Sequence, residues 1–342
     1  MSVFYVMDTE IPIPKYSSLC FYDEIKEKSV SELDTSYTKS VLDWSLGEFG
    51  KIFRYMDLDF EINYDNLLIS FYKSYYISDP IGFYNLQENL AAISLGSHTK
   101  GSYSNLQRCV IHELTHAITS SYSIVGVSLA EGIALYMEYL YCRANYIDDE
   151  VKKSNGYDFG VELFHYIKKY VYNDDLNSFF KALKRGNEEL LINDINNFLK
   201  KVNIKFGAEE FLRFSSFIFY TRDVYASQLD ENRKSKEAGL LTVDLLTMFY
   251  SKSASKFKIN EYADSMKYIC SLYKVLEELI GNKDVLYTTL DREFGHAMLE
   301  NGGSIFLDRY RIIEIVKKTL VIMKIDEKTI DGFDSDIMVL KK

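Results

Sequence analysis

The sequence predicts a mostly helical α+β protein in which a small sheet precedes two central helices and further helices follow. Residues 67–72 and 91–96 are short runs of apolar and β-favouring residues bounded by polar residues or glycine, which is typical of strands. From residue 104 onward, apolar residues recur at helical spacing. We therefore expect an irregular lead-in over residues 1–30, a first domain over 31–204 and a helical domain over 205–342.

The helices are predicted from their apolar faces. Residues 31–57 carry one such face. The segment that starts at Ser104 has Gln107 three residues later, which is a capping-box pattern, and an apolar stripe follows it. A further helix is expected from Ser128, and residues 119–126 are expected to turn the chain between the two. The apolar positions of these three helices are Leu42, Leu46, Phe49, Phe53 and Met56; Leu106, Val110, Leu114, Ala117 and Ile118; and Leu129, Ile133, Met137 and Leu140.

The helix from Ser104 contains a His-Glu-x-x-His motif at residues 112–116. Two histidines four positions apart differ by about 40° around a helix and about 6 Å along it, so His112 and His116 can bind one metal ion. Glu113 lies on the adjoining face, where it can hold a water molecule near that ion. This pattern is typical of zinc-assisted hydrolysis.

A zinc site with an open position needs a third protein ligand. If the next helix runs antiparallel, Glu131 returns towards the two histidines. Spacing alone leaves two alternatives open. Ser128 and Glu131 also form a capping-box pattern, so Glu131 could cap its own helix. Glu138 lies two turns further along nearly the same face and could be the ligand instead.

The motif and the later stretch Leu-Ala-Glu-Gly-Ile-Ala-Leu-Tyr, residues 129–136, resemble the gluzincin metallopeptidases, in particular the clan of the zinc aminopeptidases. The resemblance implies a thermolysin-like fold and one Zn²⁺ held by His112, His116 and Glu131. It also implies that Glu113 acts as the general base. In such proteins a sheet precedes the zinc helix and its edge strand lines the substrate cleft; residues 91–96 are in the right place for that strand.

Further along the chain, Gly156-Tyr-Asp-Phe-Gly160 resembles a Tyr-x-x-Gly pattern of the same clan. The resemblance implies that Tyr157 donates a hydrogen bond to the tetrahedral intermediate, where negative charge develops on the carbonyl oxygen. With 28 tyrosines in the chain, a packing role for Tyr157 is the competing interpretation.

The sequence departs from the aminopeptidases in two places. The Gly-x-Met-Glu-Asn stretch that holds a substrate's free amine is absent, and residues 91–101 contain no Asp or Glu. We therefore expect an endopeptidase, with an aminopeptidase as the alternative. Thermolysin-type members carry an acid four residues after the glutamate ligand, but Leu135 stands there, which leaves Glu138 as a candidate to orient a histidine.

Composition is that of a globular enzyme, with 47% hydrophobic and 26% charged residues. A net charge of −10 argues against a nucleic-acid partner. We expect no apolar stretch of membrane-spanning length, no targeting signal and hence a cytoplasmic protein. The four cysteines lack metal-site spacing and are expected to be reduced and mostly buried. The expected partner is a peptide or protein substrate, with the oligomeric state open. A non-catalytic binding protein of the same fold and a maturation protease for one precursor are the alternatives.

Overall fold

A computed structural model describes residues 15–16, 35–58, 67–74, 82–85, 89–94, 103–145, 155–228, 258–280, 283–301 and 306–325. The described residues are mostly helical, as the sequence predicts. The expected lead-in over residues 1–30 lies outside them except for Lys15 and Tyr16. The chain divides into two compact units, Met1–Ser120 with Ile133–Val151, and Ser121–Gly132 with Lys152–Lys342. The domain boundary between residues 204 and 205 stays a prediction.

The described part of the first unit contains a helix, four strands, a second helix and the later part of a third. Helix α1 (Thr35–Tyr55) buries Phe49, Ile52 and Phe53, which follow one another at helical spacing. The strands are β1 (Lys15–Tyr16), β2 (Leu68–Ser74), β3 (Gly82–Asn85) and β4 (Leu90–Ser94), arranged in the order β1-β2-β4-β3. Neighbouring strands are parallel except β3, which pairs with β4 in the antiparallel sense.

Strand β4 lies between β2 and β3, so the prediction that residues 91–96 form an edge strand is wrong. Four consecutive residues of β4, Leu90 to Ile93, are buried. Consecutive apolar residues are typical of a strand covered on both faces, and they carry no information about strand order. Of the strands that the structure describes, β3 lies at the edge on this side; residues 95 and 96 lie outside the described part of the chain.

Helix α2 (Tyr103–Ile118) packs against β3 and β4. Its buried apolar face is made of Val110, Ile111, Leu114, Ala117 and Ile118. Helix α3 (Tyr122–Ala144) begins after only three connecting residues and has two parts, a single turn before Gly126 and a long helix after it. The long part begins close to the predicted Ser128. The chain breaks its helical conformation at Gly126, where φ is 73°. A Cβ at this position would lie 2.8 Å from the carbonyl oxygen of Leu212, so the kink requires glycine.

The prediction that no apolar stretch reaches membrane-spanning length is wrong for helix α3. It has 23 residues and, among the described helices, it alone is long and apolar enough to cross a membrane. Because 67% of its most apolar window is buried inside the protein, the helix also fits the core of a folded unit. The absence of a membrane partner stays a prediction.

In the second unit, the first residues of α3 are followed by helices packed around a phenylalanine-rich core. Helix α7 packs against α4, α8 and α9, and α9 packs against α10. The helices are α4 (Asn155–Tyr166, continued by a π-helical turn Ile167–Val171), α5 (Leu176–Leu183), α6 (Glu188–Lys201), α7 (Ala208–Gln228), α8 (Ala263–Leu279, preceded by a 3₁₀ turn Lys258–Tyr262), α9 (Lys283–Glu300) and α10 (Arg309–Ile322).

Candidate metal centre

Helix α2 presents the two histidines of the motif side by side. The ring centroids of His112 and His116 are 5.1 Å apart and the rings meet edge to face. His116 is 5% exposed, whereas His112 is partly accessible. His112 and His116 are about half a turn around the helix from the buried apolar residues Val110 and Leu114, so the imidazoles are not part of the apolar face. The predicted spacing of the histidines is therefore realised on one helix.

Glu131 joins the two histidines. His112, His116 and Glu131 each offer a ligand atom, and these atoms all lie within 4.8 Å of one another. Three ligands around a tetrahedral ion with bonds of about 2.1 Å would be about 3.4 Å apart, so small side-chain rotations bring this group to bonding distance. Two imidazole nitrogens and one carboxylate oxygen form a donor set that suits a divalent metal ion. The group could therefore hold a metal ion.

The sequence left open whether Glu131 caps its own helix or binds a metal ion, and the contacts of Ser128 and Glu131 bear on this choice. Ser128 stands near the start of the helical part that follows Gly126, and its hydroxyl donates to the carbonyl oxygen of Ser215 at 2.6 Å. Glu131 instead accepts a hydrogen bond from the Tyr122 hydroxyl at 2.8 Å. Capping is therefore not needed to explain this buried carboxylate.

Glu138 lies beside the metal-binding group, where it contacts a cation and a histidine. Its Oε1 accepts from Arg108 Nε at 2.7 Å and lies 2.6 Å from Nη2, while its Oε2 lies 3.4 Å from His112 Nδ1. Burial alone would raise the pKa of Glu138, but its contact with His112 and the charge of Arg108 lower it below the ordinary value. Glu138 therefore stays ionised beside His112, where a carboxylate can fix the orientation of the ring.

Glu113 is a buried carboxylate at the edge of the sheet. It is 6% exposed, and a Cβ on Gly82 of strand β3 would lie 2.7 Å from its Oε1. The same Cβ would lie 2.9 Å from the sulfur of Cys109, whose thiol pKa is raised by burial and then by Glu113 and Glu138. Cys109, Cys142 and Cys270 are buried thiols, as expected, and Cys20 lies outside the described residues. Glycine at position 82 thus lets the edge strand approach Glu113 closely.

Tyr157 lies on helix α4, at a close crossing with α3. Its ring contacts that of Phe219 edge to face at 5.3 Å. One turn later, Gly160 packs directly on Gly132, the residue after Glu131; a Cβ on Gly160 would lie 3.2 Å from the Cα of Gly132. The phenol is half-buried in this region, and its role towards an oxyanion stays a prediction.

Sequence reasoning missed Arg108 and Tyr122. Arg108 stands four residues before His112 on the same helical face, so helical spacing could have identified it. Tyr122 lies nine residues before Glu131 and across the kink at Gly126, where helical periodicity is lost. Periodicity offers no signal for that pair.

The comparisons with known proteins add no relative. No family model, no curated protein and no solved structure matches the chain. The interpretation of the site therefore depends on its own residues and geometry.

Proposed function

We propose that this protein is a zinc-dependent endopeptidase of the gluzincin type. The observation that carries the proposal is the grouping of His112, His116 and Glu131 within 4.8 Å, with Glu113 next to the first histidine in a His-Glu-x-x-His motif. A random pair of surface histidines has no reason to meet a buried glutamate from another helix. Histidine and carboxylate ligands from this motif are the donors that hydrolytic zinc sites use.

When bound, zinc would act as a Lewis acid that polarises the scissile carbonyl and makes water nucleophilic near neutral pH. The side chains around the site would supply the proton transfer, the orientation of the ligands and the stabilisation of the oxyanion. Glu113 accepts the proton of the attacking water and passes it to the leaving amine. Glu138 orients His112 through Nδ1, and Arg108 holds Glu138 in place. Tyr157 donates a hydrogen bond to the oxygen on which charge develops.

The position of strand β3 supports a peptide as the substrate. Among the described strands it lies at the edge of the sheet, it is antiparallel to β4, and its Gly82 is next to Glu113. An exposed sheet edge can pair with an extended peptide through main-chain hydrogen bonds. A peptide bound in this way would pass the carboxylate that has to deliver a proton to the leaving amine. A small sheet with such an edge next to a zinc helix fits the thermolysin-like fold, which we propose with the function.

Metal content is the first test. Purified protein should carry about one zinc per chain, and Glu131→Ala should lose most of it because a three-ligand site becomes a two-ligand site. Inductively coupled plasma mass spectrometry after gel filtration measures the ratio. Tyr139→Phe, an exposed change on the same helix, is the matched control. Full zinc retention in Glu131→Ala would assign the third ligand to another residue.

The second test distinguishes an endopeptidase from an aminopeptidase. A free ammonium group in a closed site needs a carboxylate partner, because desolvating an unpaired charge is costly. Residues 91–101 contain no Asp or Glu to supply one. We expect N-terminal acetylation of a peptide to leave its cleavage intact, with fragments that arise from internal bonds. Mass spectrometry of matched digests decides it; stepwise loss of N-terminal residues that acetylation stops would indicate an aminopeptidase.

A further inference from the structure

The second unit contains a chain of contacts that ends on the candidate metal ligand Glu131. Tyr122 donates its phenolic hydrogen to Glu131 Oε1 at 2.8 Å, and Glu131 is 8% exposed. A carboxylate has two oxygens, and a hydrogen bond to one of them restricts rotation of the group. The contact therefore limits how Glu131 can present its carboxylate to a metal ion.

The turn that carries Tyr122 is anchored independently of the rest of helix α3. Residues 122–125 form a single turn before the break at Gly126, so the later part of the helix does not dictate where the Tyr122 ring points. The anchor comes from elsewhere in the unit. Arg213 Nη2 donates to the carbonyl oxygen of Tyr122 at 2.7 Å, and the Ser123 amide donates to Asp284 Oδ1 at 2.9 Å.

The anchoring guanidinium is itself rigidly held. Arg213 is 1% exposed and its Nη1 donates to Asp291 Oδ2 at 2.9 Å. Asp291 also accepts from the Tyr273 hydroxyl at 2.9 Å, and the Arg213 guanidinium stacks over the Tyr287 ring at 4.8 Å. A fully buried, multiply bonded ion pair therefore fixes the backbone of the tyrosine that contacts Glu131.

We propose that Tyr122 is a positioning residue of the metal centre, whose hydroxyl holds Glu131 in the orientation that binds the ion. The inference rests on the proposed function, since it assigns a partner to one ligand of the same site. Hydrogen-bond partners of metal ligands fix ligand orientation, and their loss weakens metal affinity by about 10- to 100-fold. Tyr122 would act through Glu131 and need not touch the substrate.

The variant that tests this is Tyr122→Phe, which removes one hydroxyl and keeps the ring. We expect zinc affinity, measured by competition with a chromophoric chelator, to fall by about 10- to 100-fold. The melting temperature of the metal-free protein should stay within about 3 °C of wild type, because one hydrogen bond is lost from a large unit. The visible absorption spectrum of the cobalt-substituted protein should shift. Tyr139→Phe on the same helix should change neither property.

A double-mutant cycle separates positioning from a general structural role. In the Glu131→Ala background, Tyr122→Phe should cause no further loss of zinc affinity, because the ligand that it orients is gone. Wild-type zinc affinity in Tyr122→Phe, or an equal loss with and without Glu131, would overturn the inference while leaving the metal centre in place. Failure of the wild-type protein to bind zinc would instead overturn the proposed function and this inference with it.

Discussion

Replacement of Glu113 by glutamine should abolish peptide cleavage while leaving the zinc content at the wild-type value. Glutamine has nearly the same shape, so it can occupy the buried space beside Gly82, but its amide cannot accept a proton from water. Proton transfer by a positioned group contributes about 10²- to 10⁴-fold, and we expect a loss of at least about 10³-fold in kcat. Initial rates on an internally quenched peptide, with zinc measured in the same samples, check the prediction.

The control for this variant separates loss of the base from loss of the metal. Glu138→Gln changes the carboxylate that contacts His112 but not the proposed base, so its effect should fall first on zinc affinity, and activity should recover at saturating zinc. Glu113→Gln should not recover at any zinc concentration. Wild-type turnover in Glu113→Gln would remove the hydrolytic mechanism. If the wild-type protein binds zinc but cleaves no peptide, the alternative of a non-catalytic metal-binding protein is favoured instead.

The parts of the site that sequence could predict are those set by local geometry. The four-residue spacing of His112 and His116 needs only a helix, and residues 103–118 form one. Glu131 can approach His112 and His116 only if a second helix turns back towards the first. The short connection after Ile118 allows this turn. These features follow from residue spacing within about thirty positions of the chain.

The parts that sequence could not predict depend on distant residues. Strand order is one example: β2 pairs with β4 rather than with the next strand in the chain, and this pairing moves residues 90–94 to the centre of the sheet. The start of α3 is another. Its first turn is fixed by Arg213 and Asp284, about 90 and 160 positions further along. No periodic pattern near Tyr122 reports such partners, and the local signal at Ser128 indicated only the part of the helix that follows the break at Gly126.

The buried pair of Arg213 and Asp291 should dominate the stability of the second unit. Both side chains are 1% exposed, and removal of one partner from such a pair costs about 3–5 kcal/mol because the other charge stays buried without compensation. Burial raises the pKa of Asp291 to about 6 against the opposing effect of Arg213, so the carboxyl is still ionised at pH 7. We therefore expect Arg213→Met to lower the free energy of unfolding of the metal-free protein by about 3–5 kcal/mol in urea titrations at pH 7.

Two further variants show whether charge burial is the cause. Lys274→Met removes a cation from an exposed pair with Glu209, and such pairs contribute at most about 1 kcal/mol. The double variant Arg213→Met with Asp291→Leu removes both buried charges, so it should recover much of the loss of the single variant. It should not recover zinc affinity, because the donor to the Tyr122 carbonyl is still missing. If Arg213→Met is as stable as Lys274→Met, the buried ion pair does not hold the helices together. Recovery of stability without recovery of zinc affinity would separate the two roles of Arg213: compensating a buried carboxylate, and fixing the turn from which Tyr122 reaches Glu131.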